Sequence, residues 1–258
     1  MSMYKIIIDS CGELSEELKQ DGHFQTVSLE LEVDGYRIRD DETFNQLDFL
    51  RRVKESAAGP KSSCPSPEQY MSAYEGEAEH VYAVTLSAEL SGSYNSAVLG
   101  MNLLKEEKPL LMVLEDLQDP GNAGTIIRTG EGAGVSGVFL TKTCVDITNP
   151  KVIRATMGSV YRIPFFYVED VVSLKQKLQG RGIRFFAAHL QGKNSYDRES
   201  YEDGTAFLIG NEGKGLTDQA ADAADCLIRI PMCGQVESLN AAMAAGILMY
   251  EAARQRRG

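Results

Sequence analysis

The sequence predicts an α/β protein in two parts, a mainly parallel sheet in the second part preceded by a smaller α/β segment. Three observations predict it. Short apolar runs of strand type alternate with helical periodicities along the chain. A length of 258 residues with 43% hydrophobic content is enough for one large or two ordinary domains with a real core. The net charge of −11 is unevenly spread: residues 1–105 hold 9 Lys/Arg against 18 Asp/Glu, and residues 106–258 hold 17 against 19. The acidic first part makes a poor surface for a phosphate backbone, and the near-neutral second part has room for a local basic patch.

Composition also excludes. No apolar run approaches 18 residues, so no membrane span is expected. MSMYKIIIDS lacks the basic and apolar regions of a signal peptide, so a cytoplasmic protein is expected. Five scattered cysteines without a C-x-x-C pair read as reduced thiols. Three histidines far apart in sequence lack ligand spacing, so no metal site is expected.

In the first segment, YKIIID reads as a buried-type strand and SCGELSEEL as a turn and an acidic helix start. QTVSLELEV alternates with period two, and Asp34-Gly35 marks a tight turn into YRIRD, a hairpin. TFNQLDFLRRVKES places Phe44, Leu47, Phe49, Leu50 and Val53 on a helical face. GPKSSCPSP reads as a loop, PEQYMSAYE as a short helix opened by Pro67, HVYAVTLS as a strand and ELSGSYNSAVLGMNLLKEE as a helix. Two hydroxyl-rich loops, Ser62–Pro67 and Ser87–Tyr94, each precede a helix. Such serines cap helices, or they converge with helix amides on an anionic head group.

The order IIIDSCGEL, KSSCPSPEQY, LSAELSGSYNSA resembles the DegV family of bacterial fatty-acid-binding proteins over about residues 3–105. The resemblance implies a fatty acid as ligand, with Ser63 and Ser91 meeting its carboxylate. The family's Thr-Ser-Gln-Pro stands here as Ser62-Ser63-Cys64-Pro65, and its Leu-Ser-Gly-Thr as Leu90-Ser91-Gly92-Ser93. Only the first part of that family's two-domain site is recognisable.

The second segment begins with the strand KPLLMVLEDL. LQDPGNAG reads as a glycine-bearing turn, TIIRTGEGAG as a helix and VSGVFLT as a strand. NPKVIRATMGS (helix), YRIPFFYV (strand), VSLKQKLQGRG (helix) and IRFFAAHL (strand) follow. After a polar loop come the strand and glycine loop TAFLIGNEGKGL, the short helix TDQAADAA and the strand CLIRIPM. The chain breaks at Gly234 and restarts as an Ala-rich helix with Ser238 as its N-cap type, and Arg254, Arg256 and Arg257 suit the helix C-terminus. Three glycine loops leave strand carboxyl ends, where parallel sheets bind ligands. GNEGKGL lacks the lead and the Ser/Thr of a Walker loop, and GEGAGVSG is misplaced for a Rossmann fingerprint. Asn122 and Arg128 in PGNAGTIIRT, Asn211 and Glu212 in LIGNEGKGL, and Ser238 and Asn240 in VESLN supply a cation, a carboxylate and amide or hydroxyl partners at those ends. Singly, each reads as a cap or a solvated residue.

N-x-G-x-x-x-R-T, I-G-N-E-G-K-G-L and I-P-M-x-G-x-x-x-S-L-N, in this order over 106–258, are similar to the SpoU family of RNA ribose 2′-O-methyltransferases in the SPOUT superfamily. The resemblance implies a parallel α/β sheet with a deep trefoil knot, a rare exception among folds. It implies a homodimer acting on rRNA or tRNA with S-adenosylmethionine as cofactor. The cofactor would lie against Leu208, Ile209, Gly210, Ile230 and Met232, closed by Ser238 and Leu239. Arg128 is the candidate for stabilising an alkoxide or holding a phosphate. Asn122, Glu212, Ser238 and Asn240 would orient it and the ribose, and Lys151 and Arg154 would contact RNA. No metal is required. The alternative is a fatty-acid-binding module fused to a passive or inactive methyltransferase domain, as a natural fusion or an engineered chimera.

Overall fold

The computed structural model describes residues 4–88 and 91–257. The chain forms two compact units, Met1–Leu104 and Lys105–Gly258.

In the first unit, β1 (Tyr4–Asp9), β2 (Phe24–Val27) and β6 (His80–Val84) form a parallel sheet in the order β2-β1-β6. A second, antiparallel sheet has the order β4-β3-β5, from β3 (Glu30–Val33), β4 (Tyr36–Arg39) and β5 (Lys61–Ser63). Asp34 and Gly35 have φ of 48° and 79°, so the β3–β4 connection is the hairpin turn that requires left-handed backbone. The helices are α1 (Glu16–Gln20), α2 (Gln46–Glu55), α3 (Pro67–Tyr74) and α4 (Ser93–Lys105). A capping box at Ser66 and Gln69 starts α3. Glu89 and Leu90, the expected start of α4, lie outside the described residues. The small core joins Ile7, Val27, Tyr70, Ala73 and Ala97.

Three expectations are corrected here. QTVSLELEV is two strands in different sheets, since the Leu29 amide donates to Ser10 Oγ and leaves the ladder. Val27, Leu29 and Val33 are buried through the break, so the alternation never loses phase. GPKSSCPSP contains the edge strand β5. Of the apolar face on α2 only Phe49 is buried within the helix, with Leu47 and Leu50 exposed.

The second unit holds a seven-stranded parallel sheet in the order β11-β13-β10-β12-β7-β8-β9. Its strands are β7 (Leu110–Leu114), β8 (Gly137–Thr141), β9 (Phe165–Val168), β10 (Arg184–Ala188), β11 (Asn194–Ser195), β12 (Thr205–Ile209) and β13 (Cys226–Arg229). The helices are α5 (Pro120–Ala133), α6 (Pro150–Thr156), α7 (Val171–Lys177), α8 (Asp218–Ala223) and α9 (Ala241–Arg256). Every residue of β7, β8 and β12 is buried, as strands covered on both faces require. Phe186, Tyr201 and Phe207 pack edge-on or tilted within 6.0 Å of one another in the core. Strand β13 lies between β10 and β11, although the chain passes from β10 to β11 first. A Cβ on Gly192 would meet the Ile228 carbonyl carbon at 2.6 Å, so that connection runs hard against the β13 backbone. Among the described residues no helix is long and apolar enough to cross a membrane.

Three expectations are corrected in this unit. The stretch LQDPGNAG is largely helix, because α5 starts at Pro120 with Asp119 as its N-cap. Ser238 is not the N-cap of the last helix. Asn240 is, its Oδ1 accepting from the Ala242 and Met243 amides. The polar loop before β12 also contains the two-residue strand β11.

Candidate active site

Parallel strands deliver three segments to one edge of the second unit's sheet: 115–119 after β7, 210–217 after β12 and 230–240 after β13. The Glu212 carboxylate accepts from the Gln118 amide (3.1 Å), the Asp119 amide (2.9 Å) and Asn122 Nδ2 (3.1 Å). The Asn122 Oδ1 in turn accepts from Asn240 Nδ2 at 2.9 Å. One chain of hydrogen bonds thus joins Glu212, Asn122 and Asn240, one residue from each expected motif. Partial burial raises the Glu212 carboxyl. The bonds from Asn122 and from the backbone amides outweigh it and hold the group below its ordinary value.

The 210–217 loop is fastened to the end of β7 on either side of Glu212. Asn211 Nδ2 donates to the Asp116 carbonyl at 2.9 Å, and Asp116 takes a left-handed φ of 51°. The buried Glu115 carboxylate accepts from Thr217 N and Oγ1, each at 2.8 Å. Gly210 is obligatory, because a Cβ there would come 2.2 Å from the Gly215 backbone. Glu115, Asp116, Gln118 and Thr217 were not anticipated from the sequence. The available signal was an acid placed directly after the apolar strand run, where a buried carboxylate must find donors.

The other expected residues divide. Leu208, Ile209 and Gly210 are buried at the end of β12. Ile230 and Met232 are half-buried, and Ser238 and Leu239 are exposed. Residues 231–239 carry no helix or strand and enter none of the loop hydrogen bonds among the described residues. Arg128 is exposed, unpaired among the described residues and outside the Glu212–Asn122–Asn240 chain. Four residues before it, Gly124 lets α6 close on α5, since a Cβ would lie 2.4 Å from Ala155 Cβ. Arg128 therefore lies on the α6 side of α5, the helix whose exposed Lys151 and Arg154 also lack partners among the described residues. A concavity of about 640 Å3 at the opposite, amino edge of the sheet is lined by Lys175, Arg184 and Asp225, with Lys175 paired to Asp225 at 2.6 Å. It holds none of the motif residues.

In the first unit, Ser63 is exposed on β5 and Ser91 is half-buried, its Oγ accepting from the Ser93 amide. The two loops do meet: Cys64 Sγ lies 3.0 Å from where a Cβ on Gly92 would stand and 3.7 Å from Ser96 Oγ. Beneath them Ser93 Oγ is committed to the buried Asp9 carboxylate and to the Tyr70 hydroxyl.

Comparison with known proteins finds two families. Residues 109–250 match the SpoU rRNA Methylase family, and residues 3–115 match the DegV family of uncharacterised proteins. Both matches include β7. An uncharacterised tRNA/rRNA methyltransferase of Synechocystis is 39% identical over 145 residues, 56% of this chain. The chain spans about half of that relative, 53% of its length. The crystal structure of an AdoMet-bound rRNA methyltransferase from Sinorhizobium meliloti is 38% identical, with a TM-score of 0.55 over 58% of this chain and 57% of that one. A solved RNA 2′-O ribose methyltransferase is 29% identical, with a TM-score of 0.55 over 59% of this chain and 58% of its own.

Proposed function

The chain belongs to the SpoU rRNA methylase family, and on that premise we propose that its second unit methylates a ribose 2′-hydroxyl of tRNA or rRNA with S-adenosylmethionine. The observation that carries this reading is the chain Glu212–Asn122–Asn240, which ties the three motif loops into one polar site. Likeness to a solved 2′-O ribose methyltransferase supports the choice of atom.

The chain's own residues suit that cofactor. The buried apolar end of β12 and the half-buried Ile230 and Met232 offer a wall for a purine. Residues 231–239 offer backbone groups that have no hydrogen-bond partner among the described residues. The bound cofactor supplies an electrophilic methyl group. The protein's task is to present the oxygen. A ribose hydroxyl is a weak nucleophile that must share its proton as it attacks. Arg128, paired with no carboxylate among the described residues, would hold the neighbouring phosphate or the developing alkoxide. Asn122, fixed on both sides, would keep the Asn240 loop in register with α5, while Ser238 faces the ribose. Lys151 and Arg154 would take RNA phosphates.

Two further properties belong to this proposal. A homodimer is supported by Met243 and Tyr250, exposed two turns apart on α9, with Val236 and Leu239 exposed in the segment before it. A knot is supported by the insertion of β13 between β10 and β11. The test is transfer of a tritiated methyl group to bulk unmodified RNA, followed by alkaline digestion. Wild type should leave label in alkali-resistant dinucleotides, and Arg128→Ala should lower it at least tenfold. Label released wholly in mononucleotides would move the reaction to a base, and equal activity of the variant would remove Arg128 from the mechanism.

For the first unit, the meeting of the two serine loops at Cys64 and Gly92 favours a second, separate proposal, an acyl carboxylate held near Ser63 and Ser91. Native mass spectrometry of the purified protein should show an added acyl-chain mass. A clean apo mass argues against it.

A further inference from the structure

Beside the two cations assigned to RNA phosphates, two large exposed side chains of the second unit have no role so far. Lys151 and Arg154, three apart, share one face of α6. Immediately beyond them Met157 and Tyr161 stand in solvent, 68% and 73% exposed. Each of the four is large, and among the described residues neither the two cations nor the tyrosine hydroxyl has a side-chain partner.

The backbone that carries the two apolar side chains is fixed. Met157 has a left-handed φ of 50°, a conformation that strains a residue with a Cβ. Gly158 follows at φ 87° and starts the 3-10 turn Ser159–Tyr161. Ser159 Oγ donates to Glu131 Oε2 at 2.5 Å, and Arg162 pairs with both oxygens of the same carboxylate. Tyr161 therefore sits between two residues anchored to α5, with its ring free. A held backbone under an exposed ring keeps the ordering cost of binding low.

The charge says what the ring faces. In a chain of net −11, Arg162 is neutralised by Glu131, while Lys151 and Arg154 remain available. An anionic partner with flat, weakly solvated faces fits both halves of the stripe, and unpaired RNA has that chemistry. The apolar stripe assigned to a second copy lies elsewhere. Helix α9 packs on the Thr129 side of α5, and α6 on the Gly124 side.

Resting on the RNA reading above, we propose that Tyr161, backed by Met157, stacks on an unpaired base of the substrate while Lys151 and Arg154 hold its flanking phosphates. The enzyme would then require a single-stranded nucleotide near the methylated one.

The test is an anisotropy titration of a labelled unstructured oligoribonucleotide and of a blunt RNA duplex of equal length, at low and high KCl. Wild type, Tyr161→Phe, Tyr161→Ala and Arg154→Ala are compared, and each is weighed by sedimentation without RNA. Tyr161→Ala should weaken single-strand binding about tenfold at both salt concentrations and leave the duplex unaffected. Tyr161→Phe should stay within about twofold, since the face of the ring is retained. Arg154→Ala should lower the salt dependence by about one phosphate contact. If Tyr161→Ala binds like wild type while Arg154→Ala is weakened, stacking is overturned and the RNA reading stands. If wild type binds neither RNA, both fall. A loss of dimer mass in Tyr161→Ala would assign the ring to a second copy, which also overturns the proposal.

Discussion

Strands β7, β8 and β12 of the second unit are buried at every residue, and β6 of the first unit is exposed at every residue. Both sets belong to parallel sheets, and in sequence HVYAV and LLMVL both read as strands. The difference lies in what covers them. The second unit surrounds its sheet with a core that runs from Leu110 to Ala252. The first unit buries Ile7 and Asp9 on one face of β1, while Tyr4, Tyr82 and Val84 remain exposed. An apolar run thus reports that a strand can be buried, and the neighbouring helices decide whether it is.

The comparison breaks most directly in the core. Phe207→Ala removes a fully buried ring that packs on Tyr201 and Phe186, and should cost about 3–5 kcal/mol in urea unfolding of the second unit. Tyr82→Ser on the exposed strand should change stability by no more than about 0.5 kcal/mol. Similar effects at the two positions would mean that the two sheets do not differ as described.

A smaller effect is expected where the second unit buries charge. Glu115→Ala removes the acceptor of both Thr217 donors, and leaving them unsatisfied should cost about 1–3 kcal/mol. Cofactor binding measured by calorimetry should weaken with it, because the same contact ends the 210–217 loop. Thr217→Ser keeps both donors and should match wild type, which separates loss of these bonds from general damage to the site.

The smallest effect belongs to the surface pair. Arg162 and Ser159 hold the Glu131 carboxyl down at about 2, from an ordinary 4.5. A carboxyl depressed on folding stabilises fully above its unfolded value, and its contribution is lost as pH falls from about 4.5 through about 2. Wild type should therefore lose melting temperature faster than Glu131→Gln across that window. Because the pair is open to solvent the difference should be slight, and parallel curves would show that the pair does not stabilise the fold.

The fold class and the three loops at the sheet's carboxyl edge were legible in the sequence, because strand–helix alternation dictates a parallel sheet and its ligand edge. Helix starts were less so. Asp119, Ser238 and Asn240 are all good cap types, and only the path of the backbone selects Asp119 and Asn240. The partners of Glu212 were hidden for a different reason: two of its three donors are backbone amides, which carry no residue identity. Glu115 and Thr217 are 102 residues apart, and no local pattern couples them. The exposure of Leu47 and Leu50 shows the same limit in reverse, since helical spacing marks a face without naming its neighbour.

The position of β13 between β10 and β11 has a consequence for how the protein is made. A nascent chain releases residues 184–195 well before residues 226–229. The two strands that flank β13 thus leave the ribosome with a gap between them that only later sequence can fill. Pairing β10 directly with β11 during synthesis would be a local and quick misstep, and it must be undone before the last strand enters. The completion of the sheet is therefore non-local and late relative to the formation of α5 and α6. The final anchor comes later still: Arg256 donates to the carbonyls of Tyr201, Asp203 and Lys108 once the last helix has emerged.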